Sequence, residues 1–487
     1  MTDAHVVRRI DNFIGGAFVP PAGTTWLADA NPATGDHILD IPRSDARDVD
    51  AAVSAGQRAL TGPWAGWSTD ERANLLDAIA RRIEDRADDL VRLESEDTGK
   101  PVSTARRVDI ARAVANFRFF AGAVRHQSSD AHAMPDALNY TLRKPLGVVA
   151  LITPWNLPLY LLSWKVAPAL AMGNAVVAKP SELTPLTANA LAEIAHEVGV
   201  PDGVFNVVHG YGHEVGQALC EHPGVKAVSF TGGTSTGAVV ARTAAPSFKK
   251  LSLELGGKNP TIVFADCDFE STMDGVLRAS FANQGQVCLC GERVLVERSL
   301  VDRFTSELVA RAAALKIGDP LDPATEFGAQ ISHDHRAKIE GYVALAREEG
   351  GTIAGGGKRP LLPAPLDRGA FFEPTIITGL PSTARTATEE IFGPVVTIHP
   401  FDTDDEAVAM ANEVEYGLSA SVWTSSLVRA HRVAEQLDAG TVWVNTWLKR
   451  DLRVPFGGVK QSGVGREGGR YSLEFFSDAK NVCIALG

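Results

Sequence analysis

The chain has little cysteine: five residues in 487, at positions 220, 267, 288, 290 and 483. The number is odd and no CxxC pair occurs, which argues against a disulfide framework and against a zinc knuckle. A reducing compartment, the cytoplasm, is the location this predicts. Long hydrophobic runs are also missing. The opening segment, MTDAHVVRRIDNFIGG, has no apolar stretch of the signal-peptide kind. The most span-like stretch, 148–164, is broken by Pro154, Asn156 and Pro158 and followed by Lys165. That pattern predicts a buried strand, a turn and a buried helix start, with no membrane partner. Positive charge is in deficit, with 47 Lys+Arg against 59 Asp+Glu and a net charge of −12. Nucleic acid and anionic membrane surfaces are therefore poor partners, although a local arginine pair can still hold a small anion. His333-Asp334-His335 has no further ligand nearby in sequence, so no metal site is indicated. Internal repeats and low-complexity tracts are absent.

What remains is ordinary globular composition, 45% hydrophobic and 22% charged, long enough for two to four domains. Ser68 and Glu71 form a capping-box pair ahead of Leu75, Leu76, Ile79 and Ile83 at helical spacing. Residues 147–155 and 174–180 read as buried strands, and 181–199 as the helix after the second, with Pro185 in its first turn. GVFNVVHG, KAVSFTGG and PTIVFAD repeat the alternation, which predicts an α/β fold with a parallel, doubly wound sheet. A second α/β series starts near Glu254, with helices around 303–315 and 335–349. Residues 123–142 show no helical period, and the tail 481–486 is strand-like. Such isolated strands often complete a sheet elsewhere or in a partner subunit.

Several residues are placed where they can do chemistry. Cys288 closes Phe281-Ala-Asn-Gln-Gly-Gln-Val-Cys288, a polar turn that suits a reactive thiol, although a small buried core residue has the same signature. Cys290 follows, and in an extended segment it would face the other way. Glu254 sits in an apolar strand before Gly256-Gly257. It is either paired with Lys258 or free to activate a water. Asn156 ends the strand through Thr153-Pro154-Trp155, where its amide can serve a backbone turn or a developing oxyanion. Gly232 and Gly233 lie at a strand–helix junction that can admit a nucleotide phosphate. Lys179 and Glu182 lie past another strand, and a carboxylate there can accept from ribose hydroxyls and repel a 2′-phosphate. Arg112 lies in a largely apolar helix, and Arg450 in a loop that also carries Arg453. Each can hold a carboxylate bidentately or pair locally, Arg112 with Asp109 and Arg450 with Asp451.

Taken together, TPWN (153–156), KPSE (179–182), FTGGTSTG (230–237), LELGGKNP (253–260), NQGQVC (283–288), EEIFGP (389–394) and PFGGVKQSGVGREGG (455–469) resemble the NAD(P)-dependent aldehyde dehydrogenase superfamily over nearly the whole chain. The stretches 116–120, 446–453 and 465–483 are most similar to the branch acting on 2-hydroxymuconate and 2-aminomuconate 6-semialdehydes. The resemblance implies a Rossmann-type cofactor domain (1–122 and 145–253), an α/β catalytic domain (254–469) and a small β oligomerisation arm (123–144 and 470–487). It makes Cys288 the nucleophile, Glu254 the general base and Asn156 the oxyanion donor. It puts Thr153, Trp155, Lys179, Ser181, Glu182, Gly232, Gly233, Leu255, Glu390 and Phe392 against NAD, and Arg112 and Arg450 on a substrate carboxylate. The expected activity is NAD-dependent oxidation of a carboxylate-bearing semialdehyde to the dicarboxylate, in a homodimer or homotetramer. The alternatives are the 2-amino substrate, another aldehyde class, or a binding protein on the same scaffold that has lost catalysis.

Overall fold

The computed structural model describes residues 8–486. Five parallel strands form the centre of one sheet: Phe205–Val207, Ala175–Lys179, Val148–Ile152, Val225–Thr231 and Lys250–Glu254. Antiparallel strands flank them, Asn12–Ile14 and Ala17–Val19 on one edge and Gly463–Val464 on the other. Val149 and Leu151 pack into one core, while Val148, Ala150 and Ile152 pack into another on the opposite face. Side chains alternate across a strand, so a run that is apolar at every position has to be covered on both faces. The doubly wound arrangement expected from the sequence follows from that burial.

A second sheet has seven strands in the order Thr352–Gly355, Thr375–Thr378, Val395–Phe401, Arg293–Glu297, Pro260–Val263, Ser419–Trp423, Thr441–Val444. All neighbours are parallel except the Thr352–Gly355 edge. A third, three-stranded sheet pairs Ser477–Ala485 with Ala137–Pro145 along its full length, and Ala137–Pro145 with Ala131–Ala133.

Local signals fix the helices. Thr69–Asp85 opens on a complete Ser68/Glu71 capping box. Stretch 148–164 resolves into the strand Val148–Ile152, a break, and the helix Pro158–Ala171 with Pro at its start. Among the described residues no helix is long and apolar enough to cross a membrane. Two expectations shift. The helix after strand Ala175–Lys179 begins only at Leu186, because Pro185 precedes it and 181–184 form a turn. Helix Ala111–Arg125 runs into the segment that showed no helical period, because Ala121 and Val124 still reach the core.

Candidate active site

The carboxyl ends of the four parallel strands Val148–Ile152, Ala175–Lys179, Val225–Thr231 and Lys250–Glu254 lie side by side, with Ile152 opposite Lys179 and Thr231 opposite Glu254. Open α/β sheets bind their ligands beyond such ends. Here a groove of about 390 Å³ opens there, walled on one side by the ends of those strands and the residues after them, and on the other by Cys288, His335, Lys338, Glu390 and Phe392.

On the first-sheet side, Thr153, Trp155 and Asn156 follow one strand, and Lys179, Ser181 and Glu182 follow the next. The Lys179 ammonium is buried and donates to the Pro180 carbonyl and to Glu182 Oε2 (3.1 Å), and burial lowers its pKa. Gly232 and Gly233 reach the groove at the start of helix Thr234–Ala244. No atom lies within 4 Å of the place a Gly233 Cβ would take. The helix dipole and open backbone amides make that junction suited to a phosphate. Leu255 lines the groove beside them.

The opposite wall is built by Glu390 and Phe392. Gly257 N–H donates to Glu390 Oε1 at 2.8 Å, and burial, then the Glu292 charge, pushes the Glu390 pKa up to about 7. A Cβ at Gly256 would fall 2.4 Å from the Glu390 carboxylate and would push that side chain out of its present place. Phe392 and Trp155 meet edge to face at 5.3 Å. A groove with glycines at a helix start, a carboxylate beside a lysine, and an aromatic-and-carboxylate wall has the donor set a dinucleotide needs, so the residues present fit NAD.

Cys288 lines the same groove. Asn283, Gln284 and Gly285 take left-handed φ values of 51°, 57° and 73° ahead of it. Gly285 is obligatory, since a Cβ there would lie 2.2 Å from the Gly393 carbonyl. The expectation of an extended 288–290 segment is corrected: residues 287–290 form a turn closed by Cys290 N–H to Val287 O, 2.8 Å. The two thiols still separate. Cys290 is 1% exposed and belongs to the buried apolar cluster that includes Val287 and Trp447. Burial, then Glu254 and Glu390, pushes the Cys288 thiol up to about 12, and Arg450 opposes them.

Asn156 is anchored at both ends. Its side-chain Nδ2 donates to Gln286 O at 2.9 Å, leaving a second N–H on the same nitrogen. Its carbonyl accepts from Lys100 Nζ (2.9 Å) and Asn283 Nδ2 (3.0 Å), and Lys100 is itself held by Asp109 at 3.0 Å.

Glu254 does not line the groove but ends the strand behind Leu255. Its local alternative fails, because Lys258 pairs with Glu292 at 2.6 Å. Burial, then the nearby Glu467 charge, raises the Glu254 pKa to about 8, against Lys165, Arg450 and Arg466. Glu467 and Lys165 escaped sequence reading. Lys165 Nζ donates to Glu467 Oε1 (2.7 Å) and to Ser229 Oγ (2.8 Å), and Ser229 and Ser252 hydroxyls donate to the same Glu467 oxygen. Glu467 Oε2 is buried with no partner among the described residues. The signal for Lys165 was available: a lysine inside the apolar helix Pro158–Ala171, fully buried.

Arg112 and Arg450 also lie outside the groove lining, and both meet Tyr160, another residue the sequence reading passed over. Arg112 stacks over the Tyr160 ring at 5.5 Å, so the local pair with Asp109 does not form. Arg450 donates to the Tyr160 hydroxyl at 3.0 Å and stacks on Phe456 (3.7 Å) and Trp164 (5.0 Å). Its Nε and Nη2 are buried with no partner among the described residues. Asp451 is taken by Arg453, whose side chain is 79% exposed. The loop bearing Arg450 is tied down by Trp447 Nε1 to Leu289 O and Trp443 Nε1 to Lys449 O, each 2.9 Å.

Known proteins match over nearly the whole length. A model of the aldehyde dehydrogenase family covers residues 18–482. The chain is 50% identical over 486 residues to a 2-hydroxymuconic semialdehyde dehydrogenase of Pseudomonas sp. (strain CF600), spanning 99% of this chain and 100% of that one. It is 49% identical to a 2-aminomuconic 6-semialdehyde dehydrogenase of Pseudomonas sp, spanning 99% of each. Among solved structures, the NAD+ complex of an aldehyde dehydrogenase from Bacillus cereus superposes with a TM-score of 0.96 at 39% identity, over 99% of this chain and 97% of that one. Betaine aldehyde dehydrogenase from Staphylococcus aureus, also with NAD+, gives 0.95 at 40% identity, over 98% and 95%.

Proposed function

The chain belongs to the aldehyde dehydrogenase family, and on that premise we propose that it oxidises a carboxylate-bearing semialdehyde of the 2-hydroxymuconate 6-semialdehyde type to the dicarboxylate. It is an NAD-dependent oxidoreductase. The observation that carries the substrate class is Arg450, whose two buried, unpartnered nitrogens await an anion while its third holds Tyr160. A buried donor left unmade costs about 1–3 kcal/mol, so a carboxylate that meets it is strongly favoured.

Cys288 is the nucleophile. Its thiol is protonated at neutral pH, so attack on the aldehyde carbon requires its proton to pass to a base. The free Asn156 N–H and the Cys288 backbone N–H hold the oxyanion of the thiohemiacetal, and one such donor is worth about 2.7–4 kcal/mol. When bound, NAD⁺ supplies the hydride acceptor; Lys179, Glu182, Gly232, Gly233, Glu390 and Phe392 hold it, with Thr153, Trp155, Ser181 and Leu255 along the groove. Glu254 takes a proton from the water that hydrolyses the Cys288 thioester, with the Lys165–Glu467 pair held behind it.

Residues 1–122 and 145–253 serve as the cofactor domain, 254–469 as the catalytic domain, and 123–144 with 470–487 as an arm. The second sheet, drawn wholly from 260–444, and the full-length pairing of Ser477–Ala485 with Ala137–Pro145 support this division, while Gly463–Val464 joins the first sheet and helix Ala111–Arg125 crosses the boundary at 122. An exposed third sheet suits assembly into a dimer or tetramer, and five unpaired cysteines suit the cytoplasm. The test is initial-rate profiling with NAD⁺ across semialdehydes with and without a carboxylate. The 2-aminomuconate substrate belongs in the panel, because it presents the same carboxylate. Equal kcat/KM for carboxylated and uncharged aldehydes overturns the substrate reading.

A further inference from the structure

Glu292 lies outside the groove, fully covered beneath the wall that carries Glu390 and Phe392, and nothing in the chemistry above uses it. Both oxygens of its side chain accept hydrogen bonds, three in all. Oε2 accepts from Lys258 Nζ at 2.6 Å and from Ile391 N–H at 3.1 Å, and Oε1 accepts from Phe392 N–H at 3.1 Å. Lys258 and Glu292 side chains are 0% and 4% exposed, so the pair is held in a dry setting where such bonds are strong. The carboxylate thus grips two consecutive amides of segment 390–392.

That segment needs holding. Phe392 takes φ +61°, a left-handed conformation that a bulky residue adopts only when its surroundings impose it. The imposed contacts come from both sides: His335 Nε2–H donates to the Phe392 carbonyl at 2.7 Å, while Glu292 holds the amides. Burial keeps His335 neutral, with its pKa lowered to about 4, so this clasp does not open across the neutral range. The same segment presents Glu390 to Gly257 N–H and the Phe392 ring to Trp155.

We propose that Glu292 is a positioning residue for the nucleotide: it holds the strained 390–392 segment so that Glu390 and Phe392 meet the bound dinucleotide in one arrangement. The inference rests on the reading that these two residues contact NAD.

The experiment measures NADH affinity by nicotinamide fluorescence, and steady-state KM values, on full-length Glu292→Gln, Phe392→Ala and the charge-free pair Lys258→Met/Glu292→Leu. The pair leaves no buried charge unmatched, so it keeps the question open to test if Glu292→Gln does not fold. Phe392→Ala is expected to weaken NADH binding directly. If it does not, the assignment of this wall to the cofactor fails, and the role of Glu292 fails with it. Glu292→Gln and the pair are each expected to raise the NADH Kd and the NAD⁺ KM about tenfold, the scale of one charge-assisted hydrogen bond. The aldehyde KM should stay within about twofold. A variant that folds, melts at a lower temperature and binds NADH as the parent does, beside a weakened Phe392→Ala, overturns the proposal and leaves Glu292 a purely structural residue.

Discussion

Arg450 and Arg112 share Tyr160: one guanidinium donates to its hydroxyl at 3.0 Å, and the other lies over its ring at 5.5 Å. The tyrosine therefore orients both cations at once. Tyr160→Phe keeps the ring under Arg112 and removes the acceptor from Arg450. Its KM for a carboxylated semialdehyde should rise about three- to tenfold, the worth of one such hydrogen bond, with propanal unaffected. Arg112→Ala and Arg450→Ala should lose about a hundredfold in kcat/KM on the carboxylated substrate, as expected for a charged clamp. Equal losses on propanal would refute the clamp.

Cys288→Ala should abolish oxidation, and Cys290→Ala should retain it. Cys290 packs among apolar side chains rather than in the groove, so its cost falls on stability, about 1 kcal/mol. Rates of both variants, with mass spectrometry of the acylated thiol, decide the assignment. A dead Cys290 variant beside an active Cys288 variant reverses it.

Glu254 has its pKa raised to about 8, so the base form appears only as pH climbs through that value. Thioester hydrolysis in single-turnover experiments should therefore rise along a limb with an apparent pKa near 8, and Glu254→Gln should remove the limb. Stability runs the other way. An acid whose folded pKa is raised binds more protons folded than unfolded between its ordinary value and the raised one, so its contribution is lost as pH rises toward 8. The melting temperature of Glu254→Gln relative to the parent should increase between about pH 5 and pH 8. A pH-independent difference would mean that Glu254 titrates normally.

Glu182 accepts from Lys179 at 3.1 Å at the groove wall. A carboxylate there should favour NAD over NADP by repelling a 2′-phosphate. Comparable kcat/KM for the two cofactors would refute this, and Glu182→Ser should narrow the gap.

The parts of the site that could be read from the chain are local. Gly232-Gly233 before a helix, Cys288 after a polar turn and Glu254 at the end of a β run each carry their signal within a few residues. The supporting groups do not. Lys165 meets Glu467 across 302 positions and Tyr160 meets Arg450 across 290, distances over which periodicity and spacing say nothing. The local alternatives Glu254–Lys258 and Arg450–Asp451 fail for different reasons: buried Lys258 pairs with Glu292, 34 positions away, whereas Asp451 is held by the exposed Arg453 while Arg450 turns inward to Tyr160. The Cys288–Cys290 segment departs from an extended one: left-handed residues at 283–285 precede a turn at 287–290, which period-two alternation does not describe.

The strand Ser477–Ala485 zips onto Ala137–Pro145 along nine paired positions. Between it and Glu467 stands only the short helix Gly469–Phe475, whose Leu473 is locked into the first sheet's core. A protease that clips the last strand, or a fusion partner that prises it loose, would pull on Glu467, the carboxylate paired with Lys165 behind Glu254. Damage at the periphery would then be recorded as a fault in deacylation, and an assay of thioester turnover would register it before any loss of soluble protein.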